Sequence, residues 1–297
     1  MATDTPADFD KLWDYSQPAA SEARFQALLP QAERAGDASY LAQLLAHLAR
    51  AQGLQNHFDS AHATLDRAAV LITPELHSAQ ALYLLERGRV FNSAEQPEQA
   101  RALFLQAWEL ARAHADDGNA VDAAHMLGIV EPPAQKLEWE RRAFELAERS
   151  EQPAARKWYA TLLNNMGWSH HELGEHEQAL ALFERALAAR EAAGDAQLIH
   201  IARWCIAREL RALGRYGEAL AMQQQLAAAL EQSGASDGYV DEEIAENLLV
   251  LGQSDAARPY FARAHAALSQ NAWLARSEAA RLERLKALAE ADARGDS

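Results

Sequence analysis

The strongest constraint on the fold of this chain is a pattern that returns about every 39 residues. From Leu162 to Glu191 it reads LLNNMGWSHHELGEHEQALALFERALAARE, two amphipathic segments that meet at a turn near Gly174. The small residues Gly167 and Ala179 permit close approach of the two helix axes, and Phe183 continues the apolar face of the second helix at a spacing of four. Repetition of such a unit predicts helix pairs that stack on one another.

The pattern occurs six times along the chain. Its turns fall at Asn56, Glu95, Glu131, Gly174, Gly214 and Gly252, which are 39, 36, 43, 40 and 38 residues apart. Glycine and proline are scarce and strong helix formers dominate, so the chain is predicted to be all-α. We expect N-terminal helices within residues 1–37, six helix pairs over residues 38–270 and a capping helix over residues 275–292. Together they would form a single solenoid over residues 1–297.

The copies share small and aromatic positions, as in LRALGRYGEALAMQQQL with Gly214, Tyr216 and Ala219. These positions resemble the tetratricopeptide repeat (TPR) motif from about residue 40 to about residue 270. The standard TPR has about 34 residues; the extra residues fall at joints such as Glu191–Asp195, as in the longer-helix repeats of kinesin light chains. HEAT and armadillo repeats stay open at this period, although they lack the small–aromatic–small signature. The resemblance implies a right-handed α-solenoid that acts as a non-catalytic scaffold or regulator and binds a protein or peptide along its concave face.

Composition limits the partners. The chain has 43 acidic and 28 basic residues and a formal charge of −15, which disfavours nucleic acids and anionic membranes as partners. No run of 18 apolar residues is present, and the first residues lack the features of a signal peptide. The single cysteine, Cys205, is predicted to be buried and inert. We therefore expect a cytoplasmic protein.

A row of side chains next to the core row is predicted to line the groove. In the fourth pair the row is Asn164, Trp168 and His171, and the repeat register gives its equivalents elsewhere. The ten positions are Arg50, Arg89, Asn92, His125, Asn164, Trp168, His171, Trp204, Arg208 and Arg211. Guanidinium groups suit carboxylates and aromatic rings suit extended chains, so we predict a groove for an extended acidic or carboxylate-bearing peptide. In the alternative interpretation these arginines pair with nearby Asp and Glu, and the tryptophans only pack.

Two other functions stay open. Leu85, Val121, Trp168 and Trp204 would be apolar groove residues that bind a second copy of the chain, giving a self-associating homodimer. His170, His171 and His176 suggest a metal-dependent hydrolase, but His-Glu-x-x-His is the zinc-protease spacing, and here the interval from His171 is one residue longer and contains a turn. We expect no catalytic residue, no metal ion and no other cofactor.

Overall fold

The computed structural model describes residues 8–291, apart from the side chains of Pro133 and Ala134. Across these residues the chain is helical and contains no β-strand. It divides into two compact units, Met1–Leu162 and Leu163–Ser297, and the boundary falls inside one helix. The predicted all-α fold of TPR-like helix pairs is confirmed, whereas the single solenoid over residues 1–297 stays a prediction.

The first unit holds the N-terminal helices and three helix pairs. Its helices are a 3-10 helix at Phe9–Leu12, then α1 (Pro18–Ala35), α2 (Ala38–Leu54), α3 (Phe58–Leu71), α4 (His77–Ser93), α5 (Pro97–Ala113), α6 (Asp117–Val130), α7 (Pro133–Arg149) and α8 (Pro153–Arg156). Helix α2 packs on α3, α4 on α5, and α6 on α7, so the predicted pairs are present. The first helices of neighbouring pairs also meet, α2 with α4 and α4 with α6. Residues 1–7 of the predicted N-terminal region lie outside the described residues.

The second unit holds the later pairs and the C-terminal helices. Helix α9 (Tyr159–Glu172) contains the boundary, and it is followed by α10 (His176–Ala193), α11 (Ala196–Ala212), α12 (Tyr216–Gln232), α13 (Gly238–Val250), α14 (Ser254–Leu268), α15 (Ala272–Ser277) and α16 (Ala279–Glu290). Helix α16 packs on α14 and buries Leu282 and Leu285 there, which covers apolar surface of the last pair. The capping segment predicted at 275–292 is thus divided at Glu278, and residue 292 lies outside the described residues.

Backbone conformation marks most of the predicted turns. Five of the six turn residues are left-handed, with φ between 60° and 75°: Asn56, Glu95, Gly174, Gly214 and Gly252. The sixth, Glu131, has φ −80° because Pro132 and Pro133 make that turn differently. At the joint between α10 and α11, Gly194 has φ 79° and the carboxylate of Asp195 accepts a hydrogen bond from the backbone N–H of Leu198. These residues end one helix and cap the next, as the sequence predicts.

Small residues inside the pairs allow the close packing that the motif predicts. A Cβ atom added at Gly167 would lie 2.6 Å from Cε1 of Phe183, and one at Gly88 would lie 2.5 Å from Cε1 of Phe104. Both phenylalanines are fully buried. Each glycine therefore leaves the space that the ring of the second helix occupies. Within residues 8–291, no helix has the combination of length and apolar character that crossing a bilayer requires.

Candidate functional site

In the first unit, the predicted groove residues belong to a series of ion pairs between first helices. Arg50 of α2 donates through Nη1 to Oε1 of Glu86 in α4, at 3.4 Å. Arg89, also in α4, donates to the same oxygen at 2.6 Å and to Asp122 in α6. Glu86 is fully buried, and the side chains of Arg89 and Asp122 are each 12% exposed. The arginines thus connect each first helix to the next.

The charges in this series stabilise one another. Burial alone would lower the pKa of Arg89, but the carboxylates of Asp122 and Glu86 outweigh burial and raise it. Burial likewise acts to raise the pKa of Asp122, and the Arg89 and Arg50 cations outweigh that effect and lower it. Both groups are therefore held in their charged forms at neutral pH.

The remaining predicted residues of the first unit lie beside this series. His125 is half-buried in α6 with its ring 5.0 Å from that of Trp158, and burial lowers the pKa of its imidazole. Asn92 is half-buried in the last turn of α4. Leu85 and Val121, predicted to face a second copy of the chain, are fully buried instead. This part of the prediction is wrong because α4 and α6 contact helices on several sides and bury a wider arc than one stripe.

In the second unit, aromatic rings connect α9 with α11. The ring of Trp168 lies 6.0 Å from that of Trp204 and 5.2 Å from that of Phe183. Asn164 accepts a hydrogen bond from Sγ of Cys205 at 3.6 Å through Oδ1. Cys205 is buried, as predicted, and burial raises the pKa of its thiol to about 12. The thiol is therefore protonated and a poor nucleophile at neutral pH.

A pocket of about 540 Å³ lies on the face formed by α11, α13 and α16. We call it the arginine pocket; its lining residues are Trp204, Arg208, Arg211, Tyr239, Glu242, Glu246, Glu278, Arg281 and Arg284. The rings of Trp204 and Tyr239 lie 6.1 Å apart with their planes near perpendicular. The Arg208 and Arg281 guanidinium carbons lie 6.0 Å and 5.6 Å from the Trp204 and Tyr239 ring centres, respectively. Two cations thus lie within cation–π distance of the two aromatic rings of the pocket.

Each of the four arginines that line this pocket forms an ion pair with a glutamate of α13. Arg208 donates to Glu243 through Nη1 at 2.7 Å, and Arg211 donates to the same carboxylate through Nε at 2.7 Å and Nη2 at 3.0 Å. From α16, Arg281 pairs with Glu242 through Nε at 2.8 Å, and Arg284 pairs with Glu246 through Nη2 at 3.1 Å. Hydrogen bonding to Glu242 raises the pKa of Arg281.

The two signs of charge differ in their access to solvent. The side chains of Glu242, Glu243 and Glu246 are 11%, 3% and 13% exposed. Those of Arg208, Arg211, Arg281 and Arg284 are 32%, 25%, 33% and 51% exposed. The four arginine side chains are therefore more exposed than Glu242, Glu243 and Glu246, whereas Glu278, which also lines the pocket, is 34% exposed. Four arginines and three glutamates line the pocket, so its lining carries a small net positive charge in a chain that is acidic as a whole.

Two of the three histidines singled out from the sequence come together, and the third does not. Nδ1 of His171 lies 2.6 Å from Oε2 of Glu209, and Nδ1 of His176 lies 2.6 Å from Oε1 of the same residue. Their rings are 5.2 Å apart. His170 instead has Nδ1 2.6 Å from Oε2 of Glu175. The turn at Gly174 sets His171 at the end of α9 and His176 at the start of α10, beside α11.

Sequence reasoning missed the partners of the predicted residues. Glu86 and Glu243 are the buried carboxylates on which the predicted arginines converge, and Glu209 is the buried carboxylate that faces His171 and His176. Arg281 and Arg284 come from a helix that was expected only to cap the array. The signal was present in the register, since those of these pairs that join different helices span 32–39 residues, close to one repeat.

Comparison with known proteins identifies the class. A family model described as "Tetratricopeptide repeat" matches residues 137–192. RapI in its apo form superposes with a TM-score of 0.69 at 14% identity, covering 96% of this chain and 79% of RapI. NprR in complex with its cognate peptide NprX superposes with a TM-score of 0.55 at 17% identity, covering 97% of this chain and 84% of NprR. TPR-like repeats assigned to a kinesin light chain of Podosopora anserina superpose with a TM-score of 0.54 at 17% identity. The match covers 68% of this chain and 100% of the repeat protein. No curated protein matches the sequence.

These likenesses define an all-α protein of the TPR-like solenoid class. The resemblance to tetratricopeptide repeats, including those of the kinesin-light-chain kind, is confirmed by the matched segment and by the shared fold. These solved structures are at most 17% identical in sequence to this chain, so the similarity concerns its fold alone.

Proposed function

We propose that this chain is a non-catalytic, cytoplasmic scaffold or regulator that binds a peptide or an extended protein segment in the arginine pocket, where the ligand carries one or more carboxylates. The observation that carries the proposal is the unequal exposure of charge on α11, α13 and α16, where the arginines are more exposed than the α13 glutamates with which they pair. Nucleic acids and membranes are not among the expected partners.

The matched repeat family and one structural neighbour support a binding role. TPR-like arrays act by presenting a surface to a protein or peptide, and NprR was solved with its cognate peptide. We transfer the peptide-binding mode, not the identity of the peptide, to this chain. An enzyme would need reacting groups in a shared cleft, whereas the ionic groups of the arginine pocket are paired with one another.

The geometry of the arginines supports a carboxylate as the recognised group. Arg208 meets Glu243 through Nη1 alone, so the rest of its fork can meet a second carboxylate without breaking that bond. Arg284 is the most exposed arginine of the pocket, but both of its Nη atoms already pair with Glu246, which leaves Arg208 as the arginine with a partly free fork. Trp204 and Tyr239 offer flat apolar faces beside these donors, which suits an extended backbone or an aromatic side chain of the ligand.

A peptide library with free C-termini, selected on the immobilised full chain, tests the proposal. We expect the selected peptides to be enriched in Asp, Glu or a terminal carboxylate at one position. The test variant is Arg208→Lys, which keeps a cation beside Glu243 but removes the planar fork. Charge reversal at Arg208 and Arg211 is unsuitable, because it would bring two further carboxylates against the buried Glu243.

Arg203→Lys is the matched control. Arg203 lies on the same helix and pairs with Glu191 at 2.8 Å, but it does not line the pocket and about half of its side chain is exposed. We expect Arg208→Lys to weaken binding of the selected peptides at least about tenfold and Arg203→Lys to change it less than about twofold. Selection of no peptide, or equal binding by both variants, contradicts the proposal. The homodimer stays a separate prediction, which light scattering at several protein concentrations tests.

A further inference from the structure

The cluster of His171, His176 and Glu209 is outside the proposed peptide site and has a chemistry of its own. One nitrogen from each imidazole and one oxygen of the Glu209 carboxylate lie within 4.8 Å of one another, on three different helices. Imidazole nitrogen and carboxylate oxygen are the donor set of many Zn²⁺ sites. We propose that this cluster binds one Zn²⁺ ion, or a similar borderline divalent transition-metal ion, and that the ion fastens the α9–α10 turn to α11.

The charge around Glu209 differs from that around its counterparts. Glu86, Asp122 and Glu243 are carboxylates on first helices, and each is faced by the permanent cation of at least one arginine. Glu209 is fully buried and instead faces two imidazoles. A neutral imidazole donates a hydrogen bond but supplies no positive charge. A divalent ion would supply the charge that arginine provides in the other repeats.

The geometry requires little change to admit the ion. Each Nδ1 lies 2.6 Å from a carboxylate oxygen, whereas donor atoms that share a tetrahedral Zn²⁺ lie roughly 3.3 Å apart. Rotation of the imidazole rings, which are partly exposed, would widen this gap. The exposed ring edges also give the ion a path from solvent, while the carboxylate stays anchored in α11.

Three protein ligands leave at least one position of a tetrahedral ion for water. The same arrangement occurs in catalytic zinc sites, but a binding role needs no further residue. His170 is excluded from the set because its Nδ1 is held by Glu175. The inference is independent of the peptide proposal, since none of the three ligands lines the arginine pocket.

Calorimetric titration of Zn²⁺ into the full chain, stripped of metal with a chelator and then freed of the chelator, tests the site. We expect one ion per chain, and we expect His176→Gln to weaken binding at least about a hundredfold. A glutamine amide can still donate to Glu209, so this variant keeps the hydrogen bond while removing the imidazole ligand. His170→Gln is the matched control, since it removes a neighbouring imidazole outside the cluster, and it should bind Zn²⁺ within about threefold of the wild type.

Two further readouts keep the test decisive if the variant folds poorly. Co²⁺ added to the wild-type chain should give the intense visible absorption of a tetrahedral nitrogen–oxygen site, and Zn²⁺ should abolish it. Zn²⁺ should also raise the thermal midpoint of the wild type, whereas Mg²⁺, which prefers six oxygen ligands, should not. Absence of one-to-one binding, an unchanged spectrum of aqueous Co²⁺, or equal loss of binding in His170→Gln would overturn the inference.

Discussion

The ion pairs beneath the arginine pocket predict a large and specific loss of stability. Glu243 is almost fully buried and is bonded to Arg208 and Arg211, so replacing both arginines by methionine leaves a buried carboxylate without its cations. Removing the partners of a buried ion costs about 3–5 kcal/mol. The arginines are themselves a quarter to a third exposed, and solvent already screens them. We therefore expect the lower end of that range, about 3 kcal/mol.

The assay is thermal unfolding followed by far-ultraviolet circular dichroism. A loss of this size should lower the midpoint by roughly 6–12 °C. Adding Glu243→Met to the double variant should restore most of the loss, because an apolar group of similar volume then replaces the unpaired charge. Arg203→Met on the same helix breaks an exposed pair and should cost less than about 0.5 kcal/mol. A double variant as stable as the wild type, or a triple variant no more stable than the double, would refute this reasoning.

Three further predictions concern packing, pH and reactivity. Gly167→Ala should destabilise the chain by about 1–3 kcal/mol in urea unfolding because its Cβ would collide with Phe183, whereas Gly217→Ala, which meets no atom within 4 Å, should be neutral or slightly stabilising. Burial, with a smaller effect of the Arg50 cation, lowers the pKa of His47 to about 4, whereas the pKa in the unfolded chain is 6.5. The neutral His47 side chain therefore contributes stability above pH 6.5, and this contribution is lost as the pH falls to 4. His47→Gln should accordingly flatten the fall of the thermal midpoint over that range, and an unchanged slope would contradict it. Cys205 should react rapidly with a thiol reagent in denaturant, and in the native protein only as fast as local unfolding exposes the thiol. Rapid labelling of the native protein would contradict this prediction.

The fold could be predicted because its determinants are local and repeated. Gly167 and Phe183 lie 16 residues apart, and the same relation joins Gly88 to Phe104, so one set of spacings defines both helix pairs. The turns followed from the same repetition, since five of the six positions needed a left-handed residue. The register also assigned Trp204, Arg208 and Arg211 to one face, where the structure has all three lining one pocket.

The parts that could not be predicted depend on contacts between repeats. The sequence was compatible both with a cationic groove and with arginines paired to acidic residues. The arginines are paired, and their side chains are more exposed than the glutamates with which they pair. Glu209 was invisible as a metal ligand because its partners lie 33 and 38 residues earlier, across a turn. Arg284 was missed since α16 was considered a cap rather than a wall of the pocket.

Recognition of a carboxylate by the arginine pocket is tested by calorimetric comparison of one selected peptide with its neutral twin, in which Asp and Glu become Asn and Gln and the C-terminus is an amide. The acidic peptide should bind the wild-type chain at least about tenfold more tightly than the twin, and Arg208→Lys should remove most of this difference. Equal affinities of the two peptides for the wild-type chain would contradict it.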